Sequence, residues 1–163
     1  MIHRGPGSLP RQLDPVTNGH LDIIGRGARI FDEVVASVVR NPQKEPLFSI
    51  EERAEMLASA CADLPNVRVE SFSGLLVEHA RRMGAQVIIK GLRAVSDFEN
   101  EFLQAHTNRF LDSGIDTLFI PTDVAYAFLS SSAIREVVQL GGSVTGLVPP
   151  GVEERLRARL LGE

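Results

Sequence analysis

The chain has no tryptophan, one tyrosine, one cysteine and two lysines in 163 residues. Each shortage excludes something. Cys61 has no internal partner for a disulfide, and its apolar helical surroundings suit a thiol packed as a small hydrophobe. No Cys/His pair stands at zinc-ligand spacing. No segment approaches the ~20 apolar residues that cross a bilayer, and the opening MIHRGPGS carries no apolar run of the kind a signal peptide needs. A cytoplasmic protein without a membrane partner is expected. A net charge of −4, from 17 basic and 21 acidic residues, argues against a nucleic-acid coat, which needs a basic face. The lysine shortage is the odd one: Lys44 and Lys90 stand against 15 arginines.

What is present reads as an α/β protein. VVASVV (34–39), VRVESF (67–72), QVIIKG (86–91) and TLFIPT (117–122) are short, β-rich and bounded by turn residues, which predicts strands. Helical patterns lie between them, at about Asn18–Phe31, from Ser49, at Gly74–Arg82, at Ser96–Leu111 and at Ser130–Leu140. Ser49 with Glu52 three residues on fits a capping box. A last helix, about 150–161, follows Pro149-Pro150, and Arg155, Arg157 and Arg159 suit its C-terminal end. Alternation of this kind predicts one domain over residues 1–163, a Rossmann-like parallel sheet with helices on both faces. Ligands of such folds bind where strands turn into helices.

Four of those turns carry groups that suit phosphate. Asp14-Pro15-Val16-Thr17-Asn18-Gly19-His20 opens a helix, whose free N–H groups attract anions. Lys90-Gly91-Leu92-Arg93 places two cations beside a glycine at a strand end. Ser130-Ser131-Ser132 precedes another helix, and Asn41–Pro46 carries the other lysine. Each also fits a plainer reading: a capped helix with an incidental histidine, a solvated turn, a simple N-cap, an exposed loop. No Walker A motif and no G-x-G-x-x-G fingerprint is present. Taken together the turns point to a polyphosphate ligand, and they leave the reaction unnamed.

Six segments in order, DPVTNGHLDII, NPQKEPLFSIEER, SFSGLLVEHAR, IIKGLRAVSDFENEF, YAFLSSSAIREV and GGSVTGLVPP, resemble bacterial phosphopantetheine adenylyltransferases, nucleotidyltransferases of the H-x-G-H type. Thr17 takes the variable first position of that motif, followed by Gly19 and His20. The resemblance implies transfer of the adenylyl group of ATP to 4′-phosphopantetheine, giving dephospho-coenzyme A and pyrophosphate. It implies in-line attack without a covalent intermediate, with Mg2+, in a homohexamer under feedback by coenzyme A. By matching position, His20 and Lys44 would be catalytic, and Gln12, Lys44, Leu76 and Lys90 would bind phosphopantetheine. Relatives commonly carry Arg at the position of Lys90. The ATP site would draw on Gln12, Leu13, His20, Gly91, Leu92, Arg93 and Glu101, and on the run Tyr126, Ala127, Phe128, Leu129, Ser130, Ser131 and Ser132. His79 and His106 would be structural or surface groups.

The start departs from the family, which opens on a buried strand of the type R-A-V-x-P-G-S/T-F-D-P. Gly5, Pro6, Gly7 and Pro10 predict a poor central strand here, since proline removes a ladder donor. Aligned without a gap, Gln12 stands where relatives carry a hydroxyl and Leu13 where they carry Phe; alternatively Pro6-Gly7-Ser8 is the family's motif, followed by an insertion. Residues 9–13 read Leu-Pro-Arg-Gln-Leu, which a one-nucleotide shift of frame produces from a stretch coding Cys-Pro-Gly-Ser-Phe.

Overall fold

Val34–Val39 is buried at its first five positions, the mark of a strand covered on both faces. Its even and odd residues face opposite sides of the sheet. Val34, Ala36 and Val38 join the main cluster with Ile23, Ile24, Leu57, Ile89, Ile134 and Leu156. Ser37, on the opposite face, meets His79. The computed structural model describes residues 7–11, 13–41, 45–93 and 95–163.

The strands are β1 (Gly7–Arg11), β2 (Val34–Val39), β3 (Val67–Phe72), β4 (Val87–Leu92) and β5 (Asp116–Pro121). The helices are α1 (Asn18–Ile30), α2 (Ile50–Ala60), α3 (Leu76–Arg82), α4 (Val95–Leu111), α5 (Ser131–Gln139) and α6 (Val152–Leu161), with a 3₁₀ turn at Val124–Tyr126. All pairings are parallel, in the order β3-β2-β1-β4-β5. The order runs outward from β1 in both directions. A switch point therefore lies between β1 and β4, where a crevice opens beyond the C-terminal ends of the strands.

The N-terminal expectation needs correction: Gly7–Arg11 is the central strand. All five of its residues pair with β2, from Gly7↔Val34 to Arg11↔Val38. The pairing to β4 spans only Gly7↔Val87 and Ser8↔Ile88, and ends two residues before Pro10, which has no N–H to give. Gly7 also has a packing reason. A Cβ there would come within 2.8 Å of Ile89 Cδ1 and 3.4 Å of Phe31 Cδ2.

The other elements follow their sequence signals within a residue or two. Ser49 caps α2, with Glu52 answering its backbone N–H at 2.7 Å. The α6 arginines do more than serve a helix end. Arg155 binds Glu55 at 3.1 Å, while Arg159 binds Glu52 at 2.5 Å and lies over the Phe48 ring, so α6 clasps α2. Cys61 is buried, and burial pushes its thiol up to about 11.

His79 is structural. It is 2% exposed, stacks on Phe72 with centroids 4.2 Å apart, and shares a 2.8 Å hydrogen bond with Ser37 Oγ through Nε2. Burial lowers its affinity for a proton, and Arg82 and Arg68 act the same way, against Glu70. A histidine depressed in the folded state contributes stability that is full above its unfolded pKa and is lost as pH falls through the folded value. The urea midpoint is therefore expected to fall between pH 7 and pH 5, with a shallower fall in His79→Gln.

Candidate active site

A cavity of about 570 Å³ opens at the switch point. Its walls come from the β1–α1 turn, the β2–α2 loop, the turn after β4, and the segment from Thr122 into α5. Each wall is set by local chemistry. Thr17 is the N-cap of α1: its Oγ1 accepts from the His20 backbone N–H at 3.4 Å. Thr17 N–H donates to His20 Nδ1 at 3.0 Å, and Thr17 Oγ1 lies 3.1 Å from the same nitrogen. A ring nitrogen that accepts carries no proton, so the proton of the neutral ring sits on Nε2. The cap thus fixes both the orientation of the ring and its tautomer.

Gly19 serves the opposite wall. A Cβ there would stand 3.3 Å from Tyr126 Cβ and 3.7 Å from Tyr126 O. The close approach that glycine permits is therefore of the Val124–Tyr126 turn to the first turn of α1. Gly19→Ala is expected to push that turn outward by a few tenths of an ångström. If the cavity takes the ATP that the resemblance implies, the change should weaken that binding several-fold with little change in melting temperature, read by calorimetry beside thermal unfolding.

Three further contacts close the ring of loops. Arg93 Nη1 donates to the Leu129 carbonyl at 2.7 Å. Asp22 accepts from the Asp123 N–H at 3.1 Å, and Arg26 donates to the Pro121 carbonyl at 2.5 Å. At α5, Ser130 is the N-cap, accepting from Ala133 N–H at 3.1 Å, and Ser131 Oγ donates to the Pro15 carbonyl at 2.8 Å. The serines therefore cap the helix and bind it to the β1–α1 turn, and the N-termini of α1 and α5 converge on one space.

Beneath this lies Asp14, 2% exposed. Its carboxylate accepts from Leu47 N–H at 2.9 Å, from Phe48 N–H at 3.0 Å and from Arg135 Nη1 at 2.9 Å. Arg135 also reaches the Asp14 carbonyl at 2.5 Å. One side chain thus joins three walls. Burial lowers the pKa of Arg53, which lies within electrostatic reach of Asp14 and donates to the Val39 carbonyl at 3.1 Å. Leu13, immediately before, is buried at φ 50, a left-handed conformation that costs a side chain about 1 kcal/mol.

Of the residues named from sequence, the cavity gathers Leu13, His20, Arg93, Tyr126, Leu129 and Ser130–Ser132. Gly91 is buried, Leu92 is half-buried, and Ala127 and Phe128 lie in the segment between the 3₁₀ turn and α5. Leu76 and Lys90 are elsewhere. Leu76 packs on the second cluster, with Val77 and Ile88. Lys90 is 7% exposed and pairs with Glu101, so Glu101, expected at the nucleotide, sits beside Lys90. Gln12 and Lys44 fall outside the described residues. Asp14, Thr17, Gly19 and Glu45 line the cavity from turns that suit phosphate in the sequence, while Ile23, Thr122 and Arg135 line it from positions named in no site reading. The Asp-Pro before the helix was a signal for the first; nothing local marks Arg135.

The comparisons agree with this geometry. Residues 12–137 match the model of the cytidylyltransferase-like family. A solved structure from Vibrio parahaemolyticus, provisionally assigned as a nicotinate-nucleotide adenylyltransferase, superposes with a TM-score of 0.71, covering 94% of this chain and 98% of that one. At 17% identity it shows the shared Rossmann-like fold. Much nearer in sequence is the phosphopantetheine adenylyltransferase of Dictyoglomus thermophilum, 53% identical over 147 residues, 90% of each chain. That of Dictyoglomus turgidum is 52% identical over 90% of this chain and 92% of its own. That of Carboxydothermus hydrogenoformans is 49% identical over 94% and 95%. The chain belongs to the phosphopantetheine adenylyltransferase family.

Proposed function

We propose that the protein transfers the adenylyl group of ATP to 4′-phosphopantetheine in coenzyme A biosynthesis. The observation that carries this reading is His20, held by its own helix cap with the proton on Nε2, in a cavity walled by two helix N-termini and Arg93. The triphosphate lies along the ends of α1 and α5, with Arg93 on its outer phosphates. An oxygen of the phosphopantetheine phosphate attacks the α-phosphorus. A new P–O bond forms as the bond to the β-phosphate oxygen breaks, and pyrophosphate leaves with that electron pair. His20 Nε2–H donates to the α-phosphate oxygens, where charge develops. Chemistry of this kind needs positioning and electrostatics rather than a protein nucleophile.

Among the described residues no cluster of three carboxylate, histidine or cysteine ligands exists, and the Asp14 oxygens are already taken. A magnesium ion would come in on the triphosphate, with Glu45 as the wall carboxylate able to join it. Neutralisation of phosphate charge is the chemistry it would supply there. Lys44, Gln12 and Lys90 bind the acceptor phosphate in this reading, and Leu76 serves the pantetheine arm. The assembly is a homohexamer, supported by Phe102, Leu103 and Phe110, exposed at 46%, 67% and 89% on α4. Light scattering should give six times 17.8 kDa, and a monomer mass would contradict it. The setting is cytoplasmic, and no described helix is long and apolar enough to cross a membrane.

Isotope position tests the reaction class. Label from α-³²P ATP should appear in the phosphopantetheine product and label from γ-³²P ATP in pyrophosphate. Gamma label on the acceptor would mean a kinase and would overturn the reading.

A further inference from the structure

Lysine offers an ammonium with three donors and no direction of its own, whereas arginine presents a fixed fork. Lys90 is nonetheless held in one place. Its Nζ donates to Gln104 Oε1 at 2.9 Å and lies 3.0 Å from Glu101 Oε2. The two acceptors stand three residues apart on α4 and so share a face. They act differently. Glu101 Oε2 is fully buried and makes only an ionic contact, without the geometry of a hydrogen bond. Gln104 supplies the directed bond.

We propose that Gln104 is a positioning residue that aims the Lys90 ammonium at the acceptor phosphate, so that the two act as a unit. This rests on the reading of Lys90 as a ligand of phosphopantetheine. Gln104 takes one of the three donors and Glu101 balances the charge, which leaves N–H groups of the ammonium for a phosphate. A neutral amide suits the post. A second carboxylate would accept the same bond, but it would leave the group net negative and repel the incoming dianion.

The test is a double-mutant cycle on the full chain at saturating ATP, with 4′-phosphopantetheine varied and ATP affinity followed by calorimetry. Gln104→Leu is expected to raise KM for phosphopantetheine about tenfold, the scale of a hydrogen bond to a charged group, with kcat and ATP affinity nearly unchanged. Gln104→Glu should raise KM further. In a Lys90→Arg background the fork carries its own direction, so Gln104→Leu should cost less than twofold. A merely structural residue would cost the same in both backgrounds, and that result would overturn the proposal. So would a KM for Gln104→Leu within twofold of the parent. Lys90→Ala separates the two layers. A raised KM there, with Gln104→Leu silent, sinks the aiming role alone; an unchanged KM sinks the reading of Lys90 and the aiming role with it.

Discussion

His20→Ala is expected to slow adenylyl transfer by about 10²–10³-fold, equivalent to about 3–4 kcal/mol of barrier, the scale on which a lost oxyanion donor is felt. The loss should fall on kcat, because in the proposed mechanism the Nε2–H bond strengthens as charge develops on the α-phosphate. ATP affinity should change little, since Arg93 and the two helix ends remain. Alanine also removes the acceptor of the Thr17 N–H, at a cost of about 1 kcal/mol to the first turn of α1. Melting temperature therefore needs to be read beside rate. A variant as fast as the parent would remove His20 from its place at the transition state.

Asp14→Ala should be the more damaging change to the fold. It strips the partner from the Leu47 and Phe48 N–H groups and leaves Arg135 with the residue-14 backbone carbonyl but no carboxylate. Breaking a buried pair by deleting one member costs about 3–5 kcal/mol. Arg135 is one-third exposed and can turn partly to water, so the low end applies. About 3 kcal/mol in a domain of this size lowers the melting temperature by about 6–12 °C. Activity should fall as well, because the β2–α2 loop and α5 lose the carboxylate that fixes their spacing. Asp14→Asn should be intermediate: its amide oxygen still accepts, while its NH₂ group meets the Arg135 donors. An Asp14→Ala protein that melts within 2 °C of the parent would show that these bonds are replaceable by water.

Much of this was legible in the sequence for identifiable reasons. The strands at 34–39 and 67–72 match their apolar runs residue for residue, and the helix starts at Asn18 and Ile50 carry their caps beside them. Local signals suffice where local chemistry decides. The strand at Gly7–Arg11 was misjudged because propensity counts what a residue lacks. A central position supplies a neighbour on each side, and β2 pairs the full length regardless of Pro10. The site divides in the same way. His20, Arg93 and Ser130–Ser132 stand at strand or helix ends, where sequence shows them. Arg135 is 121 residues from the carboxylate it binds, in the middle of an ordinary helix, and only folding brings the two together. The two lysines also separate in meaning: Lys90 is a buried, tethered charge, and Lys44 lies outside the described residues.

The most direct test of the account is pyrophosphate release from ATP and magnesium with 4′-phosphopantetheine as acceptor, run beside nicotinamide mononucleotide. Turnover with phosphopantetheine and background rates with the mononucleotide are expected. Turnover with the mononucleotide instead, or with neither while calorimetry still shows ATP binding, would contradict it.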